Sequence, residues 1–461
     1  MKYAIKIEYI LDEQNKSVLD GQSRICNWAF NHLLKVANDL KEDFIKSGNE
    51  TLCKTIYTQR GLRNLLPKLK DIHLFLKSVH SSPLKNSALR LSQSIKNYQD
   101  FRKGKRTGPK VGWPRFRSFK RSFFSLLYDE PNKGFKVSGS SLTLSLGVTD
   151  LGERLKVTGT LKNSLSKFKG AQVKNLRITK NGERYFAVFT VEKTAKKPRE
   201  IKTVASIDPN HKNLGYVVGS DGRAMEIANP YFLKNLQKRI DHLKSRRDRC
   251  LRKAKKIELK NDKFFYLPSR RYQKFDETLK RVLQLRRDQT KTYLFTLANK
   301  LFKEYDLVGI GDYTPRGGGL GKKMRRSMNN ESLIGRFKET LAWVAQRGGK
   351  SFEIWNEKNT TKTCSTPGCN FVHEKSLDPS IRSWKCPSCG ITHIRDENAA
   401  KNGLKKLIKK LPCLGHLEEE IRTRCAWRFN GLGIQNLEFR GPSALETLIV
   451  GQGFQEIKPA M

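Results

Sequence analysis

Four cysteines and a small set of carboxylates are the side chains of this sequence whose types and spacing suit metal chemistry. The cysteines form two close pairs, CSTPGC and CPSC, with sixteen residues between the pairs. Two such pairs match a tetrahedral site of four thiolates, and a closed set of four sulfurs is typical of structural rather than catalytic zinc. The nearby His373 and His393 are interpreted as bystanders. We therefore predict one structural Zn²⁺ ion, bound by Cys364, Cys369, Cys386 and Cys389.

Three carboxylates stand where predicted strands end. Asp208 ends the apolar run of TVASID, although an Asp-Pro pair also begins ordinary turns. Asp312 ends YDLVGIGD, and Glu357 ends KSFEIWNE after an intervening helix. Strand, helix and strand in this order favour a right-handed crossover and a parallel pair, whose ends lie roughly 5 Å apart if the strands are neighbours. Asp312 and Glu357 are therefore both candidates for one metal site.

A fourth carboxylate, Asp396, stands just before a predicted helix in IRDENAAKNGLKKLIKK. A carboxylate in this place caps the helix or lies in its first turn, where the helix dipole stabilises negative charge. Metal ligation by Asp396 is compatible with either position. The residues alone leave these interpretations open.

The first 200 residues are predicted to form a β-module that a helical segment interrupts. MKYAIKIEYILDEQ alternates apolar and polar residues, which indicates a first strand and not a signal peptide. Residues 23–101 repeat apolar residues at helical spacing, with Ser23 placed as the cap. Residues 126–200 are strand-like, and the Asn181-Gly182 pair predicts a hairpin there. We expect the first strand to join this later β-module.

From about residue 201 the pattern changes to the alternation of strands and helices that is typical of α/β folds. One long, basic helical stretch is predicted over 231–303. The helix that follows Asp312 is predicted to stop at Gly348-Gly349. One face of that helix carries apolar residues that should be buried, namely Leu333, Phe337, Leu341 and Val344.

The charge of the chain indicates a polyanionic partner. Its 461 residues include 91 Lys and Arg against 44 Asp and Glu, a formal net charge of +47. A charge this large repels itself unless a polyanion neutralises it, so we expect nucleic acid to bind. The remaining cysteines are scattered, which argues against a disulfide framework and for a reducing, intracellular compartment. No run reaches the roughly 18–20 apolar residues of a membrane span, so no membrane partner is expected.

Two segments are the candidates for contact with nucleic acid. Residues 104–125, GKRTGPKVGWPRFRSFKRSFFS, interleave cations with aromatic rings, which would suit phosphates and bases. A basic loop whose rings pack inward explains the same composition. The second segment is the basic face of the helix that begins near residue 231. The candidate contact residues are Arg115, Phe116, Arg117, Lys120, Arg121, Lys234, Lys238, Arg239, Arg246 and Arg247.

Several of these motifs together resemble the TnpB family of transposon-encoded proteins, relatives of type V CRISPR effector nucleases and of the eukaryotic Fanzor proteins. The resemblance covers roughly residues 85–410 and rests on GWPRFRSFKRSFFS, IDPNHKNLG, IGDYTP with the Gly-rich segment after it, TKTCSTPGC with CPSCG, and IRDENAAKN. It implies a multidomain α+β protein: a β-barrel-like wedge domain with a helical recognition insertion, then an RNase H-like RuvC domain with an inserted zinc ribbon.

The resemblance also implies a division of the chain into domains. Residues 1–12 would form a wedge strand, 13–105 the recognition domain and 106–200 the wedge β-domain. The RuvC domain would span 201–412, with the basic helical stretch at 231–303 and the zinc ribbon at 360–393. Residues 413–461 would be a C-terminal tail whose role the motifs do not address.

By the same resemblance, Asp208 is the first catalytic carboxylate, Asp396 the third, and Asn398 a supporting residue. The usual family pattern has a glutamate where this chain has Asp312. Some TnpB-like proteins and Fanzors lack that glutamate and use one about 45 residues downstream, which is the distance from Asp312 to Glu357. We therefore expect Asp208, Glu357 and Asp396 to hold two Mg²⁺ ions roughly 3.5–4 Å apart, with Asp312 as the alternative to Glu357.

The function that follows from this resemblance is RNA-guided cleavage of double-stranded DNA next to a short transposon-adjacent motif. Its partners would be a guide RNA (omega RNA), one protein per guide, and target DNA. The nucleus is expected if the host is eukaryotic and the cytoplasm or nucleoid if it is bacterial. A nuclease-dead, RNA-guided DNA-binding repressor is the alternative that Asp312 keeps open. A strand-joining transposase with an RNase H-like fold explains the zinc ribbon and the basic stretch less well.

Overall fold

A computed structural model describes most of the chain, which divides into two compact units, Met1–Thr194 and Ala195–Met461. The mixed α+β class expected from the sequence is confirmed. Among the helices described, none combines the length and the apolar character that crossing a membrane requires. The described residues are 1–106, 108–118, 123–149, 151–165, 170, 172–194, 196–211, 213–230, 232–259, 263–313, 332–369, 371–375, 377, 381–411, 425–429 and 434–436.

The first unit contains a seven-stranded sheet with the order β2-β6-β7-β1-β5-β4-β3 and antiparallel neighbours throughout. The N-terminal strand lies in its centre between β7 and β5, as the alternating sequence predicted, and buries Ile5, Ile7 and Tyr9 on one face. The hairpin at Asn181-Gly182 is also present, with Gly182 at φ +60°. The strands are β1 Lys2–Ile10, β2 Ser125–Tyr128, β3 Phe135–Ser138, β4 Ser141–Val148, β5 Arg154–Leu161, β6 Gln172–Asn181 and β7 Arg184–Glu192.

Helices between β1 and β2 cover this sheet. The first helix begins at Glu13, because the Asp12 side chain accepts a hydrogen bond from the Asn15 N–H, and it ends at the left-handed Gly48. The prediction that Ser23 caps the helix is wrong, since Ser23 is a buried residue in the helix interior, about three turns after the start at Glu13. The helices are α1 Glu13–Ser47, α2 Glu50–Tyr57, α3 Leu66–Ile72 and α4 Ser81–Arg102, with 3₁₀ turns at Leu62–Leu65 and Leu74–Ser78.

The second unit is built on another seven-stranded sheet, with the order β14-β13-β8-β9-β10-β17-β18. Strands β8, β13 and β14 are parallel neighbours, and β13 connects to β14 through a helix, as the strand–helix–strand pattern predicted. The strands are β8 Val204–Asp208, β9 Gly215–Gly219, β10 Arg223–Ile227, β13 Leu307–Gly311, β14 Ser351–Trp355, β17 Cys425–Phe429 and β18 Ile434–Asn436. A small antiparallel pair, β15 Ser383–Lys385 and β16 Thr392–Ile394, lies beside the cysteines.

The basic stretch over 231–303 is not one helix, as predicted, but two helices separated by a hairpin. The pentapeptides KKIEL and KFFYL form this hairpin, because β-branched and aromatic residues favour strands over helices. A new helix then starts after Pro268, where the Ser269 hydroxyl accepts the Tyr272 N–H. These elements are α5 Phe232–Arg252, β11 Lys255–Leu259, β12 Lys263–Leu267 and α6 Arg270–Glu304.

Two further helices complete the second unit: α7 Ile334–Gly348 and α8 Arg395–Ile408. Helix α7 ends at Gly349 in the left-handed conformation, which confirms the predicted stop. Its predicted apolar face is buried as well, in a cluster with the inner strands and with α6. The buried residues of that face are Leu333, Phe337, Leu341 and Val344.

We expect the Phe337→Ala variant to lower the free energy of unfolding by about 3–5 kcal/mol, because it opens a cavity in a closely packed core. Phe337 is fully buried, whereas Glu339 on the outer face of the same helix is exposed. Urea unfolding followed by circular dichroism measures the change. The control variant, Glu339→Ala, should unfold at the wild-type midpoint, and equal midpoints for both variants would contradict the assigned face.

Candidate functional site

Asp208 is the most deeply buried of the candidate carboxylates. It is the last residue of β8, and only 7% of its surface is exposed. Burial raises the pKa of Asp208 well above its usual range, and the charges of Glu357 and Asp396 raise it further. The three carboxylates therefore share one electrostatic environment at the carboxyl edge of the parallel strands.

The register of those strands explains why the carboxylates meet. Ile207 pairs with Ile310, and Gly311 pairs with Trp355, so β8, β13 and β14 end at the same edge of the sheet. Asp208 is the final residue of its strand, and Glu357 lies two residues beyond the end of β14. Ligands at the carboxyl ends of parallel strands are the common arrangement in α/β proteins.

Glu357 reaches the site across the backbone of the neighbouring strand. A Cβ atom built on Gly311 would overlap the Glu357 carboxylate, so the missing side chain at 311 provides the space for it. Burial raises the pKa of Glu357 to about 7, the Tyr313 N–H opposes this shift, and the Asp312 charge adds to it. The Oε1 atom of Glu357 is buried and has no hydrogen-bond partner among the described residues.

Asp312 is exposed and is turned toward the backbone of the adjoining strand. Its Oδ1 accepts the Glu357 N–H at 3.1 Å, and its own N–H donates to the Trp355 carbonyl at 2.9 Å. The charges that act on Asp208 include those of Glu357 and Asp396 but not that of Asp312. Asp312 thus holds the segment that carries Glu357, and its carboxylate lies at the margin of the site.

Asp396 is the second residue of α8, and Ile394, just before the helix, occupies the cap position. The sequence left cap and first turn as alternatives, and the first turn is the one observed. Its Oδ2 accepts hydrogen bonds from Asn210 Nδ2 at 3.1 Å and from the Arg382 guanidinium at 3.4 Å. These donors fix the orientation of the Asp396 carboxylate at the start of the helix.

The carboxylate edge suits a hard cation, which oxygen ligands prefer. A cation there would offset the repulsion among the three carboxylates and would satisfy the unpartnered Oε1 of Glu357. The carboxylates do not form a closed cage by themselves. Within the described ranges, the only group of three or more acidic, histidine or cysteine side chains whose ligand atoms all lie within 4.8 Å is the group of four cysteines.

The four cysteines have the geometry of a tetrahedral zinc site. Sγ of Cys364 lies 3.7 Å from Sγ of Cys389, and Sγ of Cys369 lies 3.7 Å from Sγ of Cys386. Zn–S bonds of about 2.3 Å in a tetrahedron separate the sulfurs by about 3.8 Å, so the residues fit the ion. The Phe371 N–H lowers the pKa of Cys369 to about 6, which favours the thiolate that a metal needs.

His393 was interpreted from the sequence as a bystander, yet its Nε2 lies 3.1 Å from Sγ of Cys364. Burial lowers the pKa of His393, so the ring is neutral near pH 7 and contacts the sulfur without adding charge. His373 packs edge-on against Phe371 and Trp384, with ring centroids 5.1 and 4.7 Å apart. His393 therefore supports the cysteine cluster, and His373 fills its apolar side.

Asn398 ties the cysteine cluster to the helix that carries Asp396. Its Oδ1 accepts the Ser365 N–H at 2.9 Å, and its Nδ2 donates to the Thr363 carbonyl at 2.8 Å. Asn402, one turn later, donates to the same Thr363 carbonyl at 2.8 Å. Both side chains are buried, so α8 and the first cysteine loop are positioned together.

The candidate nucleic-acid residues fall into three groups. Lys234, Lys238 and Arg239 are exposed on α5, and Arg115 and Phe116 are exposed after α4. Lys120 and Arg121 lie outside the described residues. The remaining three are engaged within the protein: Arg117 stacks on Phe30 with its guanidinium 3.6 Å from the ring centroid, Arg246 lies over Phe275, and Arg247 pairs with Asp248 and Asp276.

Some aromatic rings of the 104–125 segment pack inward, and others are exposed, as contact with nucleic acid would require. Trp113 and Phe124 pack against the core of the first unit, and Trp113 donates a hydrogen bond to Asn38 at 2.8 Å. Phe116 and Phe123 are 57% and 44% exposed. Phe119 lies outside the described residues. The segment therefore anchors itself with some rings and presents others.

Sequence reasoning missed several residues of the site. Lys338 donates to the Tyr313 carbonyl at 2.9 Å and Lys406 to the Asn356 carbonyl at 2.8 Å, and both lower the pKa of Glu357. Asn210, two residues after Asp208, could have been found from its amide in IDPN. Arg382 and Gly311 gave no signal in the sequence, because their roles depend on which strands become neighbours.

Comparisons with known proteins match two family models to separate stretches of the chain. The model described as "Probable transposase" (OrfB_IS605) matches residues 187–314, and "Cas12f1-like, TNB domain" matches residues 335–403. A Mycobacterium tuberculosis relative named "Putative RNA-guided DNA endonuclease" is 24% identical over 316 residues, which are 66% of this chain and 64% of the relative. An Acanthamoeba polyphaga mimivirus "TnpB-like protein" is 30% identical over 149 residues, 31% of this chain and 28% of the relative.

A solved structure shares the fold. The protein in "Cryo-EM structure of the Cas12f1-sgRNA-target DNA complex" aligns with 87% of this chain and 98% of its own length, at a TM-score of 0.50 and 11% sequence identity. At this identity the likeness concerns the fold alone. The match to the mycobacterial relative spans a little less than two thirds of that protein's length.

We expect the wild-type protein to contain about one zinc ion per chain and the Cys386→Ser variant to lose it, because three thiolates bind zinc far more weakly than four. Inductively coupled plasma mass spectrometry of the purified proteins measures the zinc content. The Cys250→Ser variant changes a cysteine of α5 and should retain the ion. Wild-type protein without zinc would contradict this assignment of the cysteines.

We expect the stability of the Mg²⁺-free protein to fall relative to Glu357→Gln as the pH rises from 5 to 8. The pKa of Glu357 is raised to about 7 from a usual value of 4.5, so its stabilising proton is fully bound below pH 4.5 and is lost as the pH rises through 7. The loss should reach about 3 kcal/mol at pH 8.

Thermal unfolding at each pH measures this difference. The control is Glu353→Gln, which removes a partly exposed carboxylate from β14 that pairs with Lys410. This control should follow the wild-type pH dependence. If Glu357→Gln also follows the wild type, the pKa of Glu357 is not raised.

Proposed function

The chain belongs to the TnpB family, and we propose that it is an RNA-guided DNA endonuclease that cleaves double-stranded DNA beside a short transposon-adjacent motif. The observation that carries this proposal is the meeting of Asp208, Glu357 and Asp396 at one edge of a parallel sheet. The names of the relatives and the fold shared with a Cas12f1 complex support it. A repressor with an inactive site would not need to keep the buried carboxylate of Asp208 close to two further carboxylates, an arrangement that costs free energy.

In the proposed active site, Asp208, Glu357 and Asp396 hold two Mg²⁺ ions. Bound Mg²⁺ supplies an activated water for attack on a phosphodiester and stabilises the leaving 3′ oxygen. The protein contributes the geometry: the strand ends fix Asp208, the gap at Gly311 admits Glu357, and Asn210 and Arg382 orient Asp396. Lys338 and Lys406 keep positive charge near Glu357, which favours its ionised form.

Asp312 acts as a positioning residue in this proposal. Its carboxylate accepts the N–H of Glu357, and so it holds the residue that takes the place of the usual family glutamate. An asparagine at 312 retains an oxygen acceptor for this hydrogen bond, whereas an alanine does not. The two substitutions therefore separate positioning from metal binding.

We assign the other parts of the chain to the domains that the family resemblance implies. Residues 201–412 form the RuvC nuclease domain with the zinc ribbon at 360–393, 1–12 and 106–200 form the wedge domain, and 13–105 form the recognition domain. A guide RNA, one per protein, pairs with the target strand of the DNA. The protein binds the sugar-phosphate backbone of this RNA–DNA heteroduplex. In this proposal the exposed cations Lys234, Lys238 and Arg239 contact the phosphates of the heteroduplex.

We expect Glu357→Gln to reduce Mg²⁺-dependent cleavage of a guide-matched plasmid at least about 100-fold while guide-dependent DNA binding persists, because it removes a metal ligand. Asp312→Asn should cleave within about threefold of wild type, and Asp312→Ala about tenfold more slowly. The protein is purified after co-expression with the DNA that flanks its gene, which is the source of the guide RNA. Plasmid nicking and linearisation are measured on gels.

The control for this comparison is Glu353→Gln, which should cleave like the wild type. Loss of cleavage in Asp312→Asn with retention in Glu357→Gln would transfer the metal role to Asp312. Guide-dependent binding by a wild-type protein that does not cleave would refute the nuclease and favour the repressor.

A further inference from the structure

A basic cavity in the first unit is not used by the proposed nuclease site. Its volume is about 600 Å³, and it lies between α3, the 3₁₀ turn before it, and the start of α4. Arg63, Lys70 and Lys85 line it from three different elements. A cavity of this volume lies within the range of small-molecule sites and is larger than a lone phosphate requires.

The cations of this cavity are not neutralised by the protein. Among the described residues, Arg63 and Lys70 form no ion pair, and Lys85 has only a long contact to Glu130 at 3.9 Å. Burial lowers the pKa of Lys70, and the charges of Lys85 and Lys77 lower it further. Half-buried cations that repel one another gain most when an anion binds between them.

The start of α4 adds to the positive potential. Ser81 is both the first residue of this 22-residue helix and part of the cavity wall. The His80 Nδ1 accepts the Ser82 N–H at 3.1 Å, which fixes the first turn. The N-terminal end of a helix favours anions, phosphate groups above all.

The remaining wall is apolar. Leu66, Pro67 and Leu84 line the cavity beside the cations, and Asn64 adds an amide. A free inorganic anion would leave this apolar part without a contact, whereas a base or a ribose would cover it. The combination of cations, amide and apolar wall therefore suits a nucleoside that bears a phosphate.

We propose that the cavity between Arg63, Lys70, Lys85 and Ser81 binds one nucleoside phosphate, either as a free nucleotide or as a single nucleotide of a bound strand. Its phosphate lies near the start of α4, among the three cations. Its base or sugar packs on Leu66, Pro67 and Leu84. The site lies wholly in the first unit, and the carboxylates of the second unit play no part in it.

The test uses the full chain and two probes: mant-AMP for a free nucleotide, and a fluorescein-labelled decaribonucleotide for a strand. The variant Arg63→Gln/Lys70→Gln removes two cations of the cavity, and Ser81→Phe fills the cavity without changing its charge. The control, Lys46→Gln/Lys136→Gln, removes two exposed cations of the same unit. Circular dichroism and thermal unfolding establish that each variant is folded.

We expect both cavity variants to weaken the binding of at least one probe about tenfold, measured by fluorescence anisotropy, with less than about twofold change in the control. Loss of mant-AMP binding identifies a site that takes a free nucleotide. Loss of decaribonucleotide binding alone identifies a site that takes a nucleotide of a strand. If Ser81→Phe binds both probes like the wild type, or the charge control weakens them equally, the cavity is not a nucleotide site.

Discussion

Repulsion among three neighbouring carboxylates, of which Asp208 is buried, is the constraint on which the site of the second unit depends. A single buried carboxylate already favours its protonated form, and Asp208 lies near two more. Fixed donors and cations surround the edge of the sheet: Asn210 and Arg382 donate hydrogen bonds to Asp396, and two lysines near Glu357 lower its pKa. The arrangement favours a bound cation without supplying a complete cage for one.

The cluster of four cysteines and the carboxylate edge are joined directly by the chain. Strand β16 ends at Ile394, and α8 begins at the next residue, so Asp396 follows the cysteine cluster without a linker. Asn398 and Asn402 bind the loop before Cys364 to the same helix. The position of Asp396 is therefore set from both sides, by the sheet through α8 and by the cysteine loops.

Local sequence patterns were sufficient for the first strand, for the hairpin at Asn181-Gly182, for the stop of α7 at Gly348-Gly349 and for the parallel pair that brings Asp312 and Glu357 to one edge. These features depend on periodicity and turn residues within a few positions of each other. The hairpin inside the basic stretch was missed because charged residues hid two short β-prone segments. The inward packing of Arg117 and the clearance at Gly311 depend on partners distant in sequence, which no local pattern encodes.

The clearance at Gly311 couples two strands through space that neither strand fills by itself. Any side chain at 311 would occupy the space that the Glu357 carboxylate fills. A substitution at 311 therefore acts on residue 357, which lies 46 positions later and beyond the end of the next strand. The carboxylate would have to move even though its own residue and its own strand were unchanged.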